Sequence, residues 1–71
     1  MIPVLHVITD DEILGRDGFL TRAREVLESG GKKLALHLRG PGCQGRFLFD
    51  LALELASPAR ASGAKLLMND R

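Results

Sequence analysis

Leu34-Ala35-Leu36-His37-Leu38 is an apolar run followed directly by the charged Arg39, and it decides the fold class of this chain. Two similar runs, residues 4–8 and 64–68, lie about thirty residues before and after it, which is the length of one βαβ repeat. Each run is nearly continuous rather than alternating, as is typical of strands that are covered on both faces in a parallel sheet. The runs therefore predict three parallel strands.

The segments between the runs have the periodicity of amphipathic helices. In each segment apolar residues recur at helical spacing, and charged residues occupy much of the other side. The apolar stripe of the first segment is Phe19, Leu20, Ala23, Val26 and Leu27, and that of the second is Phe47, Leu48, Leu51, Ala52 and Leu55.

The ends of both helices are marked by residues with known capping preferences. In the first helix, Asp17 is the expected N-cap, and Gly30-Gly31 supplies the left-handed stop. In the second helix, we expect Pro58 to kink or break the helix near Ser57, which would then cap a final short turn. Gly63 is the expected end of this second helix.

The resulting order, β-α-β-α-β, predicts an α/β fold of either of two architectures. These are a doubly wound open sheet and a (β/α)8 barrel of the TIM type. The first strand–helix connection, residues 9–15, has no glycine-rich loop of the dinucleotide-binding kind, which favours the barrel. A chain of 71 residues would then be one incomplete domain, residues 1–71, holding about two and a half βα units from the N-terminal part of a barrel. We expect this chain alone to be too short to be the complete barrel enzyme, so that activity would belong to the full-length barrel.

Composition excludes several classes of partner. The net charge is +1, with ten basic and nine acidic residues interspersed. The chain has three Phe and no Tyr or Trp. A nucleic-acid surface needs clustered cations and stacking rings, so we expect no nucleic-acid partner. No stretch has the length of a membrane span or the pattern of a signal peptide, and we expect a cytoplasmic protein with no membrane partner. The single cysteine, Cys43, cannot form an internal disulfide and is interpreted as an incidental thiol.

Polar residues follow all three predicted strands, at the ends where ligands bind in both architectures. Arg39 offers a planar cationic fork that suits phosphate oxygens. Asn69 and Asp70 offer hard oxygen ligands for Mg²⁺. The turn at residues 40–42 would let backbone N–H groups approach a ligand closely.

Other polar residues have simpler interpretations. Thr9 and Asp11 are expected to begin a solvated loop, and Asp10 to cap a helix or turn. His6 is expected to be a core histidine. His37 and Arg39 share one face of their strand, and if the neighbouring leucines pack on the helices, both point into the barrel. On the face of the sheet away from the helices, which would face the barrel interior, Ile8, Leu66 and Met68 would be left uncovered in a monomer.

Three segments of the chain resemble the thiamine-phosphate synthase and TenI family of (β/α)8 barrels. Leu5-His6-Val7-Ile8-Thr9-Asp10 is similar to the first-strand signature of the family. Leu36-His37-Leu38-Arg39 falls where the family has Gln-Leu-Arg-x-Lys, and Leu66-Leu67-Met68-Asn69-Asp70-Arg71 is similar to its Ile-Asn-Asp-Arg ending. The three segments occur in order and at the right spacing, so the resemblance covers essentially the whole chain.

The resemblance implies thiamine biosynthesis, in which hydroxymethylpyrimidine diphosphate is joined to thiazole phosphate with release of pyrophosphate in the presence of Mg²⁺. It implies that His37, Arg39 and Asn69 bind these phosphorylated substrates and that Asp70 binds the metal ion. His37 replaces the usual Gln, and Pro41 replaces the usual Lys. The loss of Lys at position 41 favours a divergent, TenI-like member, which would keep the fold but catalyse thiazole tautomerisation or lack the synthase activity. A third alternative is a non-catalytic α/β module that associates with itself.

Overall fold

The computed structural model describes residues 2–40, 42 and 45–69. The predicted α/β class and the order of strands and long helices are confirmed, with one short helix and one 3₁₀ turn in addition. The elements are β1 (Leu5–Ile8), α1 (Asp11–Leu14), α2 (Phe19–Gly30), the 3₁₀ turn (Gly31–Lys33), β2 (Leu34–Arg39), α3 (Gly45–Ser62) and β3 (Lys65–Asn69). The three apolar runs coincide with the strands to within about one residue, which is the usual uncertainty of such boundaries.

The strands form one parallel sheet in the order β1-β2-β3, with β2 in the centre. The helices pack on one face of this sheet, where the alternate residues Leu34, Leu36 and Leu38 of β2 are buried. The rest of the buried cluster comes from the helices: Leu14, Ala23, Leu27, Leu48, Leu51, Leu55 and Ala59. The prediction that the leucines of β2 face the helices is confirmed, but only one face of the described sheet is covered rather than two.

The beginning of α2 differs from the prediction. Its N-cap is Gly18, with φ +80°, and not Asp17. A left-handed backbone is costly for residues with a Cβ and free for glycine, so the chain turns into the helix at Gly18. The other end agrees with the prediction, since Gly31 has φ +54° and donates its N–H to the carbonyl of Leu27. Gly30 itself is helical and lies so close to Leu34 that an added Cβ would stand 2.5 Å from the Leu34 Cβ.

The predicted break at Pro58 is wrong, because α3 runs without interruption from Gly45 to Ser62. Proline removes one backbone hydrogen bond and disfavours the helix, but tertiary packing can override that cost. Leu55 and Ala59, on either side of Pro58, are both buried in the core and hold the two halves of the helix in line. Ser57 therefore caps nothing. Gly63, with φ +83°, ends the helix as predicted.

The sheet face opposite the helices carries a different set of residues from the predicted one. Ile8 lies opposite His37, and His37 lies opposite Leu67 on β3, so these three side chains point to the same side. Ile8 is 59% exposed there, and Leu67 is also exposed. Leu66 and Met68 pair with Leu36 and Leu38, which places them on the helix-covered face instead. We call the uncovered face of the sheet the open face.

Candidate functional site

The carboxyl ends of the three strands meet at one edge of the sheet, and the predicted site residues lie along it. Arg39 is the last residue of β2, and its Cα is paired with that of Asn69, the last residue of β3. Thr9 follows β1 and donates its backbone N–H to the carbonyl of His37, which extends the ladder by one residue. Asp70, the predicted metal ligand, lies outside the described residues. We call this row of strand ends the carboxyl edge.

Thr9 is not the solvated loop residue that was expected, because only 4% of it is exposed. Its Oγ1 accepts the backbone N–H of Arg39 at 2.8 Å and donates to the Arg39 carbonyl at 2.9 Å. One hydroxyl thus satisfies both backbone groups of the residue at which β2 ends. The sequence offers a weak signal for this role, since a hydroxyl at the end of a strand can bond to neighbouring backbone. The consequence is a fixed backbone for Arg39.

The two aspartates after β1 have separate structural roles. Asp10 is the N-cap of α1, which confirms one of its two expected roles, since its Oδ1 accepts the N–H of Ile13 at 2.9 Å. The expectation that Asp11 begins a solvated loop is wrong, because Asp11 is the first residue of α1, and its exposed carboxylate accepts the N–H of Gly42 at 2.9 Å. An added Cβ at Gly42 would stand 2.5 Å from the Asp11 Oδ2, so a larger residue there would displace the carboxylate. This N–H is therefore already engaged, against the prediction that the turn presents it to a ligand.

The side chain of Arg39 is available to an anionic ligand. Arg39 is exposed, and within the described ranges no carboxylate lies within ion-pair distance of its guanidinium. The ion pairs found there involve other arginines: Arg16, Arg22 and Arg24. A fixed backbone carrying an unpaired planar cation is an arrangement suited to bidentate binding of phosphate oxygens.

His37 lies on the open face with Arg39, as predicted, and it contacts the other histidine of the chain. The Nε2 of His37 is 2.9 Å from the Nδ1 of His6, and the two rings are tilted by 45°. The interpretation of His6 as a core histidine is wrong, because it is exposed. Sequence reasoning missed this pair because the residues are 31 positions apart and only the β1–β2 register brings them together.

In the part of the chain that the structure describes, there is no group of three or more metal-ligating side chains. Asp10 and Asp11 each accept a backbone N–H group there. Cys43 also falls outside that part. No helix among these residues is both long and apolar enough to cross a membrane.

Comparison with models of protein families gave no match for this chain, and searches of curated proteins and solved structures also gave none.

Proposed function

We propose that this chain is the N-terminal portion of a thiamine-phosphate synthase-like (β/α)8 barrel, with its carboxyl edge contributing to a diphosphate site. One observation carries the proposal: the three segments that resemble the family converge on one edge of the sheet. Thr9 from the first segment bonds both backbone groups of Arg39 in the second, and Arg39 is paired with Asn69 in the third. The proposal places the protein in the cytoplasm.

The uncovered surfaces support a barrel as the complete fold. The sequential strand order, with helices on one face, is the arrangement of a barrel wall, whereas a doubly wound sheet reverses its order and carries helices on both faces. Phe49 and Leu53 of α3 are exposed although both are large and apolar. In a barrel, a further βα unit would pack beside α3 and cover such side chains.

The proposed chemistry is electrostatic. In the family reaction, diphosphate leaves the pyrimidine substrate, and the pyrimidine-stabilised cation is captured by the thiazole nitrogen. Arg39 would bind the departing phosphate oxygens and spread their charge, and Asn69 would donate further hydrogen bonds. His37 would take the place of the substrate-binding Gln. Asp70 alone would hold Mg²⁺.

Replacing Arg39 with Gln is expected to weaken binding of inorganic diphosphate to the chain by roughly tenfold to a hundredfold, because a charge-assisted hydrogen bond is lost. Isothermal titration calorimetry at low ionic strength measures this change. Arg60→Gln is the matched control, since Arg60 is an exposed cation in the last turn of α3, at the other end of the helix from the carboxyl edge. Equal binding by both variants would contradict the proposal. Absence of binding by the wild type would favour the TenI-like alternative.

Exposed apolar side chains favour a second candidate function, that of a non-catalytic module that associates with itself. The observation is the exposure of Ile8 and Leu67 on the open face and, on the other side of the sheet, of Phe49 and Leu53 on α3, since exposed large apolar side chains can mark interaction sites.

Under this second candidate, the wild-type chain sediments as a concentration-dependent oligomer. Leu53→Glu is expected to weaken the association about tenfold or more, because a charge would be desolvated in the interface. Ser57→Glu adds the same charge to an exposed position of the same helix and should leave sedimentation unchanged. A wild-type chain that remains monomeric at every concentration in analytical ultracentrifugation would rule this candidate out.

A further inference from the structure

We propose that His6 and His37 together bind a divalent transition-metal ion of the copper, nickel and zinc class on the open face of the sheet. This inference does not depend on the proposed function, and it concerns a different class of ion from the Mg²⁺ assigned to Asp70.

The distance between the two ring nitrogens defines the site. The Nδ1 of His6 and the Nε2 of His37 are 2.9 Å apart, with ring centroids 5.2 Å apart. At this distance one nitrogen donates and the other accepts, so a single proton lies between them. The accepting nitrogen already presents the lone pair that a metal ion needs.

A metal ion can take the place of that shared proton with a small movement of the rings. Zinc–nitrogen bonds of about 2.0–2.1 Å at a tetrahedral angle place two nitrogens about 3.3–3.4 Å apart. The pair therefore has to open by about half an ångström, which side-chain rotation can supply while the strands stay in place. When the metal ion binds, the donor ring gives up the shared proton and takes a proton from solvent at its other ring nitrogen. Both rings are then neutral, and both facing nitrogens are ligands.

The pairing of β1 with β2 holds the two histidine rings close together. The Cα of His6 is paired with that of Ala35, and the Cα of His37 with that of Ile8, so the two histidines are diagonal neighbours on one face. Long side chains in this position are within reach of each other. Ligands on paired strands are positioned more accurately than ligands on loops.

The surroundings decide which ions fit. Imidazole nitrogens suit zinc, copper and nickel, whereas magnesium prefers oxygen ligands. The nearest open-face neighbours of His37, Ile8 on β1 and Leu67 on β3, are apolar and supply no ligand. In the part of the chain that the structure describes, no third metal-ligating side chain joins the pair. The protein therefore supplies two ligands, and water or an external ligand completes the coordination.

The test is a titration of the full chain with Zn²⁺ alone, in which binding is measured by isothermal titration calorimetry. One Zn²⁺ ion is expected to bind per chain. His6→Gln and His37→Gln should each weaken binding by roughly tenfold to a hundredfold or more, since mutation of residues that only support a metal ligand already has effects of this size. Cys43→Ser is the control, because Cys43 is the single cysteine, and it should bind like the wild type. Binding that is lost in Cys43→Ser but kept in both histidine variants would overturn the proposal.

A second measurement does not require the variants to fold. In the wild type, Zn²⁺ should shift the imidazole resonances of both histidines in the NMR spectrum, and it should raise the Tm because the paired histidines of the folded chain bind it more tightly than the unfolded chain does. Unchanged imidazole resonances, with or without a change in Tm, would overturn the proposal.

Discussion

Leu55→Ala is expected to lower the free energy of unfolding by about 2–5 kcal/mol, the usual cost of removing a fully buried leucine side chain. Leu55 has no exposed surface and packs into the cluster formed by α2, α3 and the leucines of β2. A chain of this length has a total stability of about 4–10 kcal/mol, so the loss is a large part of it. Urea denaturation followed by circular dichroism measures the change.

Leu53→Ala is the matched control for this prediction. Leu53 lies two residues earlier on the same helix but is 61% exposed. Its replacement should change the free energy of unfolding by no more than about 0.5 kcal/mol, as is usual at exposed positions. If the two variants lost the same stability, the described packing of α3 on the sheet would be wrong.

Thr9→Val is expected to lower the free energy of unfolding by about 1–3 kcal/mol. Valine has the same shape as threonine, but it cannot accept the N–H of Arg39 or donate to the Arg39 carbonyl. Both backbone groups would then be left without their partner at the end of β2. We also expect faster hydrogen exchange at the Arg39 amide, because that amide loses its acceptor.

Thr21→Val provides the comparison, since Thr21 lies on the exposed side of α2. It should change stability by about 0.5 kcal/mol or less and leave exchange at Arg39 as it is. Unchanged exchange at Arg39 in Thr9→Val would show that the hydroxyl does not hold the end of β2.

The spacing of apolar residues predicts the helices and strands well, because the apolar side of each long helix and the leucines of β2 are buried against each other. The spacing of Leu48, Leu51 and Leu55 predicts the buried face of α3 correctly, but Phe47, assigned to the same apolar stripe, is 41% exposed. A nearly continuous apolar run does not show which alternate residues face the helices. That is why Leu66 and Met68 were assigned to the wrong face of β3.

Contacts between segments distant in sequence could not be predicted in the same way. The bonds of Thr9 to Arg39 and the pairing of His6 with His37 both depend on the register of β1 against β2. No local pattern specifies that register. The predicted position of Arg39 at the carboxyl edge is confirmed, because it follows from where the apolar run ends. Its role toward phosphate stays a prediction, as does that of Asn69.

The most direct test of the central claim is to map where inorganic diphosphate binds, by two-dimensional ¹⁵N–¹H NMR of the full chain. The claim predicts shifts concentrated at the carboxyl edge, at the amides of Thr9, Arg39 and Asn69. Lys33 and Lys65 lie at the opposite edge, where β2 and β3 begin, and they provide the internal comparison. Shifts concentrated at these lysines, or no shifts at all, would contradict an anion site at the carboxyl edge.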